Sequence, residues 1–279
     1  MTVVSAESPH AAAPADVPPL QRMVQETATD YWNDSCSLAE LEYAIARGAT
    51  GATSNPTIVL EVLRKEGERW LPRVRALADA NPAWTEDDLT WALVEEMGVG
   101  AARLLQPVFE ASGGARGRLS LQTNPVNFRN EDRMLAQAER FAGLAPNIQV
   151  KFPATRAGID AIERATRAGI QVNATVSFSV AQAVAVAEAV ERGLEARAAA
   201  GEAIDGMTPV CTLMIGRLED HLRALTEREG IAVHPDALDW AGVAVFKRTV
   251  EVYRERGFRT RLLAAAFRHR LHWTELVGG

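Results

Sequence analysis

The chain has 279 residues, 47% of them hydrophobic, which is enough to bury the core of one large α/β domain or of two ordinary ones. Its 30 basic and 36 acidic residues give a net charge of −6, and the two signs are interspersed along the chain. This balance argues against nucleic acid as a partner, and no segment is apolar over the roughly 18 residues that a membrane-spanning helix needs.

The N-terminus, residues 1–19, is rich in Ala, Pro and Ser and lacks the basic start and apolar core of a secretory signal. We therefore expect a disordered tail over residues 1–19, one folded unit over residues 20–279, and a cytoplasmic protein. Cys36 and Cys211 lack metal-ligand spacing, and the five histidines show no ligand-like pairing with them. The sequence thus predicts reduced thiols and no structural metal.

From Tyr31 onward, short apolar runs alternate with helical patterns, which is typical of consecutive βα units. The first predicted strand is YWNDSC, and the helix after it begins at Ser37 and ends at Gly48. The second predicted strand is GATGATS, and Pro56 stands in the first turn of the helix that follows.

A helical excursion interrupts the alternation from about residue 57 to residue 112. Within it, TEDDLTWALVEEMG predicts a helix with Thr85 as its N-cap and Gly98 as its stop. We interpret the excursion as a helical insertion in an otherwise regular βα pattern.

The alternation resumes with five further predicted strands, which are RLSLQTN, NIQVKFPA, GIQVNATVSFS, PVCTLMIG and TRLLAAAF. Helical patterns accompany them near residues 131–142, 157–168, 180–200, 218–229 and 235–256. Some strands are apolar on both faces, as parallel strands covered by helices are. Seven βα units without a G-x-G-x-x-G motif after the first strand favour a (β/α)8 TIM barrel over a Rossmann sheet, with the eighth strand missing from the chain.

In such a barrel the reactive side chains lie at the carboxyl ends of the strands, where the fourth predicted strand carries Lys151. It is one of three lysines in a chain with 27 arginines. A guanidinium serves a purely electrostatic purpose, but it cannot replace an amine that must lose its proton. Burial would lower the pKa of Lys151 and free its lone pair for attack on a carbonyl group, which makes it a candidate Schiff-base nucleophile. The alternative is a lysine with a buried stem whose ammonium reaches a carboxylate.

Other polar residues follow the predicted strands. Asp34 ends the first strand and is a candidate acid/base, the alternative being a cap for the helix that Ser37 already caps. Asn55 follows the second strand, and on the fifth strand Asn173 and Thr175 are two residues apart, so their side chains share one face. These residues are candidate donors to a bound substrate.

Two arginines, Arg217 and Arg268, follow the sixth and seventh predicted strands. Phosphate sites recur on this side of barrels, and paired guanidiniums suit the oxygens of a phosphate. The alternative is a pair of surface salt bridges with Asp220 or Glu275.

Three segments, GATSNPTIV, VKFPAT-x-AGI-x-AIE-x-AT-x-x-GI-x-VNATVSFS-x-x-QA and TLMIGRLEDHL, resemble the transaldolase family, and the similarity runs from Tyr31 to about Gly279. The resemblance implies a (β/α)8 barrel that works through a lysine Schiff base without a metal or an organic cofactor. By motif, it implies that Lys151 is the nucleophile and that Asp34 is the acid/base for carbon–carbon cleavage.

The same resemblance assigns the remaining candidates. It implies that Asn55 and Asn173 hold the intermediate, that Thr175 positions the catalytic water, and that Arg217 and Arg268 bind the phosphate.

The chain departs from the family pattern at several positions. Gln122 stands where transaldolases carry a glutamate, and related fructose 6-phosphate aldolases resemble the chain there. Glutamine can orient a water molecule but cannot transfer its proton, so more acid/base work would fall on Asp34. Thr212 stands where a substrate-binding serine is usual, Met214 replaces an aromatic residue, and Ala266 replaces a serine.

The resemblance implies an enzyme that transfers a three-carbon dihydroxyacetone unit from a ketose phosphate, such as fructose 6-phosphate, to an aldose acceptor. It also implies the pentose phosphate pathway or related sugar metabolism, with sugar phosphates as the molecules bound. A homo-oligomer is one assembly that the chain could form. Two alternatives stay open, namely an aldolase-like cleavage enzyme, which Gln122 suggests, and a sugar-phosphate-binding protein without turnover.

The family pattern also leads us to expect an eighth strand after Gly279. Without it, the first and seventh strands would have unpaired edges, and we expect the chain to be a fragment of a longer protein with lowered solubility.

Overall fold

The computed structural model of the protein describes residues 17–278. The predicted tail, residues 1–19, lies almost wholly outside this range, and the first helix, α1, spans Pro19–Glu26.

Seven strands form one parallel sheet in the order β1 to β7, so each strand is hydrogen-bonded to its neighbours along the chain. Their bounds are β1 Trp32–Asn33, β2 Gly51–Thr53, β3 Arg118–Gln122, β4 Ile148–Pro153, β5 Val172–Ser177, β6 Val210–Leu213 and β7 Arg261–Ala264. Each strand lies within its predicted run. The curled, TIM-barrel-like sheet confirms the predicted fold class, and no eighth strand pairs with β1 or β7 among residues 17–278.

Helices follow the strands and cover the outside of the sheet. Their bounds are α2 Leu38–Ile45, α3 Pro56–Lys65, α4 Gly67–Ala80, α5 Glu86–Ala111, α6 Glu131–Ala142, α7 Arg156–Arg167, α8 Val180–Ala199, α9 Ile215–Arg228, α10 Pro235–Asp239, α11 Ala241–Arg256 and α12 Leu271–Thr274. A short 3-10 helix, Pro125–Asn127, lies between β3 and α6. The predicted helix over residues 235–256 is divided in two at Trp240.

The helical excursion comprises α3 to α5. Thr85 is the N-cap of α5, because its hydroxyl accepts from the backbone N–H of Asp88 at 3.2 Å, while the Asp88 carboxylate accepts from the backbone N–H of Thr85 at 2.8 Å. The predicted stop at Gly98 is wrong, since α5 continues to Ala111. A Cβ at Gly98 would lie 2.8 Å from a methyl carbon of Leu121, so this glycine allows α5 to pack closely against β3.

The hydrophobic core lies between the sheet and the helices that cover it. In the central strands, Val150, Phe152, Val172 and Ala174 are at most 1% exposed. Cys36 and Cys211 are buried free thiols, as predicted from their spacing. No helix among residues 17–278 is long and apolar enough to cross a membrane.

Candidate active site

Lys151 projects from β4 into the interior of the curled sheet, where it is only 6% exposed. Its ammonium donates to the hydroxyl of Thr53 at 2.8 Å and to the carbonyl oxygen of Ser54 at 3.3 Å. Both acceptors are neutral, and within residues 17–278 the ammonium forms no salt bridge with a carboxylate. Burial therefore lowers the pKa of Lys151 to about 8, although the charge of Asp34 acts to raise it.

The strand register places three predicted residues side by side. Gln122 on β3 pairs with Lys151 on β4, which pairs in turn with Asn173 on β5. Register partners in a parallel sheet project to the same face, so the amide of Gln122 and the amide of Asn173 flank the lysine.

A buried hydrogen-bond chain fixes the orientation of Asn173. Its Nδ2 donates to the hydroxyl of Ser120 at 3.1 Å, and its Oδ1 accepts from the hydroxyl of Thr212 at 2.8 Å. Ser120 donates in turn to Oε1 of Gln149 at 3.1 Å. Asn173, Ser120 and Gln149 are all fully buried, so this chain holds the amide beside Lys151 in one orientation.

Sequence reasoning missed Ser120 and Gln149, although a signal was present. Each lies two positions before a predicted site residue, Gln122 on β3 and Lys151 on β4, in strands that are otherwise largely apolar. Polar residues at a period of two indicate a polar inner face of the barrel.

Asp34 directly follows β1 and is exposed at the carboxyl ends of the strands. The surrounding protein atoms nevertheless desolvate the Asp34 carboxylate and raise its pKa. The charge of Lys151 lowers this pKa, and the charge of Glu61 raises it further. Ser37 is the N-cap of α2 and accepts from the backbone N–H of Glu40, so the capping role is filled by another residue.

Two further candidates have structural partners. The Oδ1 of Asn55 accepts from the backbone N–H of Ile58 at 3.0 Å and so caps α3. Thr175 is 5% exposed, and its hydroxyl faces the sulfur of Met214 at 3.8 Å. The next residue, Val176, has a φ of 55°, which is a strained conformation for a β-branched residue.

Arg217 and Arg268 both lie near Asp220. Arg217 is exposed in the first turn of α9, and Arg268 lies in the loop after β7. The salt bridge between Arg268 and Asp220 that the sequence left open is formed, with Nη2 of the arginine 2.7 Å from Oδ2 of the aspartate. This hydrogen bond lowers the pKa of Asp220, and the charges of Arg268 and Arg217 contribute.

A cavity of about 850 Å³ opens between β1 and β7 and joins the two parts of the site. Its lining includes Asp34, Thr53, Ala266 and Arg268. Thr53, which lines the cavity, is the hydrogen-bond partner of Lys151, so the cavity and the lysine share one neighbour.

The fold and the site define a class of protein, a parallel (β/α) barrel with a buried lysine centre at the carboxyl ends of its strands. The chain belongs to the transaldolase/fructose-6-phosphate aldolase family, whose sequence model matches residues 31–279.

Relatives in several bacteria are about 30% identical to the chain over the aligned residues. A transaldolase of Thermobifida fusca is 33% identical over 216 residues, which cover 72% of this chain and 56% of the relative. Transaldolase 1 of Streptomyces avermitilis is 29% identical over 262 residues, covering 90% of this chain and 68% of the relative. A transaldolase of Thiobacillus denitrificans is 33% identical over 212 residues, which cover 75% of this chain and 58% of the relative. The chain thus spans little more than half the length of two of these relatives.

Proposed function

We propose that the protein is a transaldolase-type enzyme that transfers a three-carbon dihydroxyacetone unit between sugar phosphates. The observation that supports this function most strongly is Lys151, a buried amine whose hydrogen bonds go to two neutral oxygens and whose pKa is lowered to about 8. About a tenth of such amines are neutral at pH 7, compared with fewer than one in a thousand for an ordinary lysine.

The first half of the reaction forms the Schiff base. The lone pair of neutral Lys151 attacks the C2 carbonyl of a ketose phosphate, and loss of water from the resulting carbinolamine gives an iminium ion. Gln122 and Asn173 flank the lysine in the strand register, where their amides can hydrogen-bond the hydroxyl groups and the water. Thr175, near the end of β5, is proposed to position that water.

The second half breaks and remakes a carbon–carbon bond. Asp34, whose pKa is raised by desolvation, accepts the proton of the C4 hydroxyl as the C3–C4 bond breaks, and the electron pair of that bond moves into the iminium to give an enamine. An aldehyde leaves. The enamine then attacks an acceptor aldehyde, which takes the proton back, and hydrolysis of the new imine releases the product and Lys151.

We assign the phosphate of the substrate to Arg217 and Arg268. Both arginines act electrostatically on Asp220, which supports a shared positive region that would attract an anion. Asn55 is proposed to contact the substrate through its amide nitrogen, since its oxygen caps α3, and Thr212 acts through its bond to Asn173.

The family and the names of the relatives support a role in the pentose phosphate pathway or related sugar metabolism, with sugar phosphates as partners. We propose that the protein acts in the cytoplasm, which the similarity to bacterial transaldolases supports.

One observation favours a second candidate, aldol cleavage without transfer. The residue beside Lys151 in the register is the amide of Gln122, which cannot carry a proton between water and the imine. In that reaction the enamine is protonated and hydrolysed, and no acceptor sugar is needed.

Trapping with borohydride tests the proposal. The protein is incubated with fructose 6-phosphate, reduced, digested, and the modified peptide is located by mass. We expect a three-carbon adduct on Lys151 in the wild type and none in Lys151→Arg, whose guanidinium cannot form the imine. A wild-type protein without any adduct would overturn the proposal, and release of aldehyde that does not depend on an acceptor would favour simple cleavage.

A further inference from the structure

A buried carboxylate, Glu219, lies on α9 directly beside Asp220, and the proposed reaction does not use it. Glu219 is 0% exposed, yet it is within hydrogen-bond distance of three residues, two after β7 and one at the start of α11. Its Oε1 accepts from Nε2 of His272 at 2.9 Å and from the backbone N–H of Gly242 at 3.2 Å, and its Oε2 lies 2.9 Å from Nε2 of His269.

The protonation of His272 follows from its partners. The backbone N–H of Arg268 can only donate, and it lies 3.0 Å from Nδ1 of His272. Nδ1 is therefore an acceptor, and in the neutral ring the proton is on Nε2, which donates it to Glu219. A hydrogen-bond chain thus leads from the Glu219 carboxylate through the His272 ring to the main chain of Arg268.

Glu219, His269 and His272 also resemble a set of metal ligands, since their ligand atoms lie within 4.8 Å of one another. The hydrogen-bond chain through His272 argues against a metal there. A metal on Nε2 of His272 would need the lone pair of that nitrogen, which would move the proton to Nδ1. Nδ1 would then face the N–H of Arg268 as a second donor. The donor and acceptor pattern at His272 therefore favours the hydrogen-bond chain over a bound metal.

The hydrogen-bond chain ends at a strained segment of backbone, the loop after β7. Ala266, two residues before Arg268, has a φ of 64°, a conformation that L-residues other than glycine rarely adopt and that persists only where the surroundings hold it. On one side, the loop packs against Gly216, where a Cβ would lie 1.9 Å from the Ala266 carbonyl oxygen. On the other side, His272 accepts from the Arg268 N–H.

Adjacent carboxylates of α9 therefore hold the same arginine in two ways. Asp220, on the surface, binds the guanidinium of Arg268, and Glu219, in the interior, fixes the main chain of Arg268 through His272. Glu219 also caps α11 through Gly242 and so joins α9, the loop after β7 and α11 into one unit.

We propose that Glu219 and His272 are positioning residues that set the main chain of Arg268 for binding the phosphate of the substrate. This inference rests on the proposed function, because it requires Arg268 to contact a phosphate. It assigns to a buried Glu–His pair the specificity for phosphorylated over unphosphorylated ketoses.

His269 provides a matched control. Both histidines bond Glu219 at 2.9 Å, but only His272 accepts from Arg268. Binding of inorganic phosphate to the whole protein is measured by calorimetry for the wild type, His272→Ala, His269→Ala and His272→Gln. We expect His272→Ala to weaken phosphate binding about tenfold and His269→Ala to change it by less than about threefold.

His272→Gln serves as the conservative variant and covers the case in which His272→Ala does not fold. Glutamine carries one acceptor for the Arg268 N–H and one donor for Glu219, so phosphate affinity should return to within about threefold of the wild type. Equal losses in His269→Ala and His272→Ala, wild-type affinity in His272→Ala, or no measurable phosphate binding by the wild type would each overturn the inference.

Turnover gives a second, separate readout. With fructose 6-phosphate, His272→Ala should raise KM about tenfold and leave kcat within about threefold. Borohydride trapping of unphosphorylated dihydroxyacetone on Lys151 should proceed as in the wild type, because that ligand does not need Arg268. Equal losses for the phosphorylated and unphosphorylated ligands would mean that His272 acts on the fold as a whole. Failure of trapping in the wild type would instead refute the proposed function and leave the phosphate comparison standing.

Discussion

At the scale of the residue, the environment of Lys151 favours reactivity at a cost in stability. Its pKa is about 8 in the folded protein, compared with an ordinary value of 10.5, because the ammonium is buried among neutral groups. Between these pH values the unfolded chain binds more protons than the folded one, so stability rises as the pH rises from about 8 to about 10.5. Below pH 8 the full cost of burying the charge, on the order of 3 kcal/mol, opposes folding.

Replacement of Lys151 by methionine should therefore stabilise the protein while abolishing turnover. We expect Lys151→Met to raise the free energy of unfolding at pH 7 by roughly 1–3 kcal/mol, because an apolar side chain of similar length has no charge to desolvate. The gain should shrink to less than about 1 kcal/mol by pH 10, because the folded amine is then neutral and only the proton that the unfolded lysine still binds opposes folding. Urea denaturation at both pH values measures it.

Lys247→Met is the matched control for this comparison. Lys247 lies on the surface and pairs with Glu275 at 2.7 Å, with its side chain 48% exposed. Its replacement should change the unfolding free energy by less than about 1 kcal/mol at either pH. A wild-type stability that does not rise between pH 8 and pH 10 would contradict the lowered pKa of Lys151.

Gln122 is the second residue whose chemistry can be tested alone. It is the register partner of Lys151 on β3, where a carboxyl group could carry a proton between water and the imine. We expect Gln122→Glu to raise the ratio of transfer to cleavage or to shift the pH profile of kcat, since a titratable group is introduced. Product analysis with and without an aldose acceptor measures the ratio, and an unchanged ratio and profile would show that this position does not select the reaction.

At the scale of the element, the approach of α9 to the loop after β7 depends on one glycine. A Cβ at Gly216 would lie 1.9 Å from the carbonyl oxygen of Ala266 and 2.8 Å from Cγ of Arg268. Both contacts are much shorter than van der Waals distance, and the first is to backbone, which cannot rotate away. The first turn of α9 and the loop with Arg268 can pack together only because no side chain lies between them.

Gly216→Ala should therefore lower the unfolding free energy by roughly 1–3 kcal/mol and weaken phosphate binding, because the loop must move away from α9. Gly206→Ala is the control, since a Cβ there meets nothing within 4 Å. We expect the control to stay within about 0.5 kcal/mol of the wild type. Thermal unfolding of both variants decides the matter, and equal stability would show that the loop yields without cost.

At the scale of the whole molecule, the sheet formed within residues 17–278 has two edges, whereas a closed barrel has none. Strands β1 and β7 each have one neighbour in the sheet, and the cavity of about 850 Å³ lies between them. An ion-pair cluster ties the edges together, because Asp30, just before β1, binds both Arg261 at the start of β7 and Arg116, the latter at 3.0 Å.

Asp30→Asn should loosen this tie. The Asp30 side chain is only 9% exposed, and the substitution leaves two arginines without their carboxylate. We therefore expect the free energy of unfolding to fall by roughly 1–2 kcal/mol. Hydrogen exchange should become faster at the amides of β7 and remain slow at those of the central strand β4.

Asp132→Asn is the control, since Asp132 pairs with Arg164 at 2.8 Å with its side chain 84% exposed. We expect Asp132→Asn to change the free energy of unfolding by less than about 0.5 kcal/mol. Equal exchange in β7 and β4 of the wild type would show that the open edges are not the weakest part of the sheet.

Seven strands, their order and the approximate bounds of α2, α6, α7, α8 and α9 could be predicted from the sequence, because the change between apolar runs and helical periodicity is a local signal. The stop at Gly98 was wrong for a tertiary reason. A glycine that ends a helix and a glycine that lets a helix approach a sheet look alike in sequence, and only the contact with Leu121 separates them. The division of the last long helix at Trp240 likewise has no signal in the periodicity.

By itself, the sequence determined the residue types that the chemistry needs, because a rare lysine in an apolar strand and polar residues at strand ends can be read along the chain. Only the tertiary structure decided what surrounds them. The neutral partners Thr53 and Ser54 lie 98 and 97 positions from Lys151, and the partner His272 of Glu219 lies 53 positions away. A pKa depends on desolvation and on charges close in space, and a strained loop depends on what packs against it, so neither can be read from neighbours along the chain.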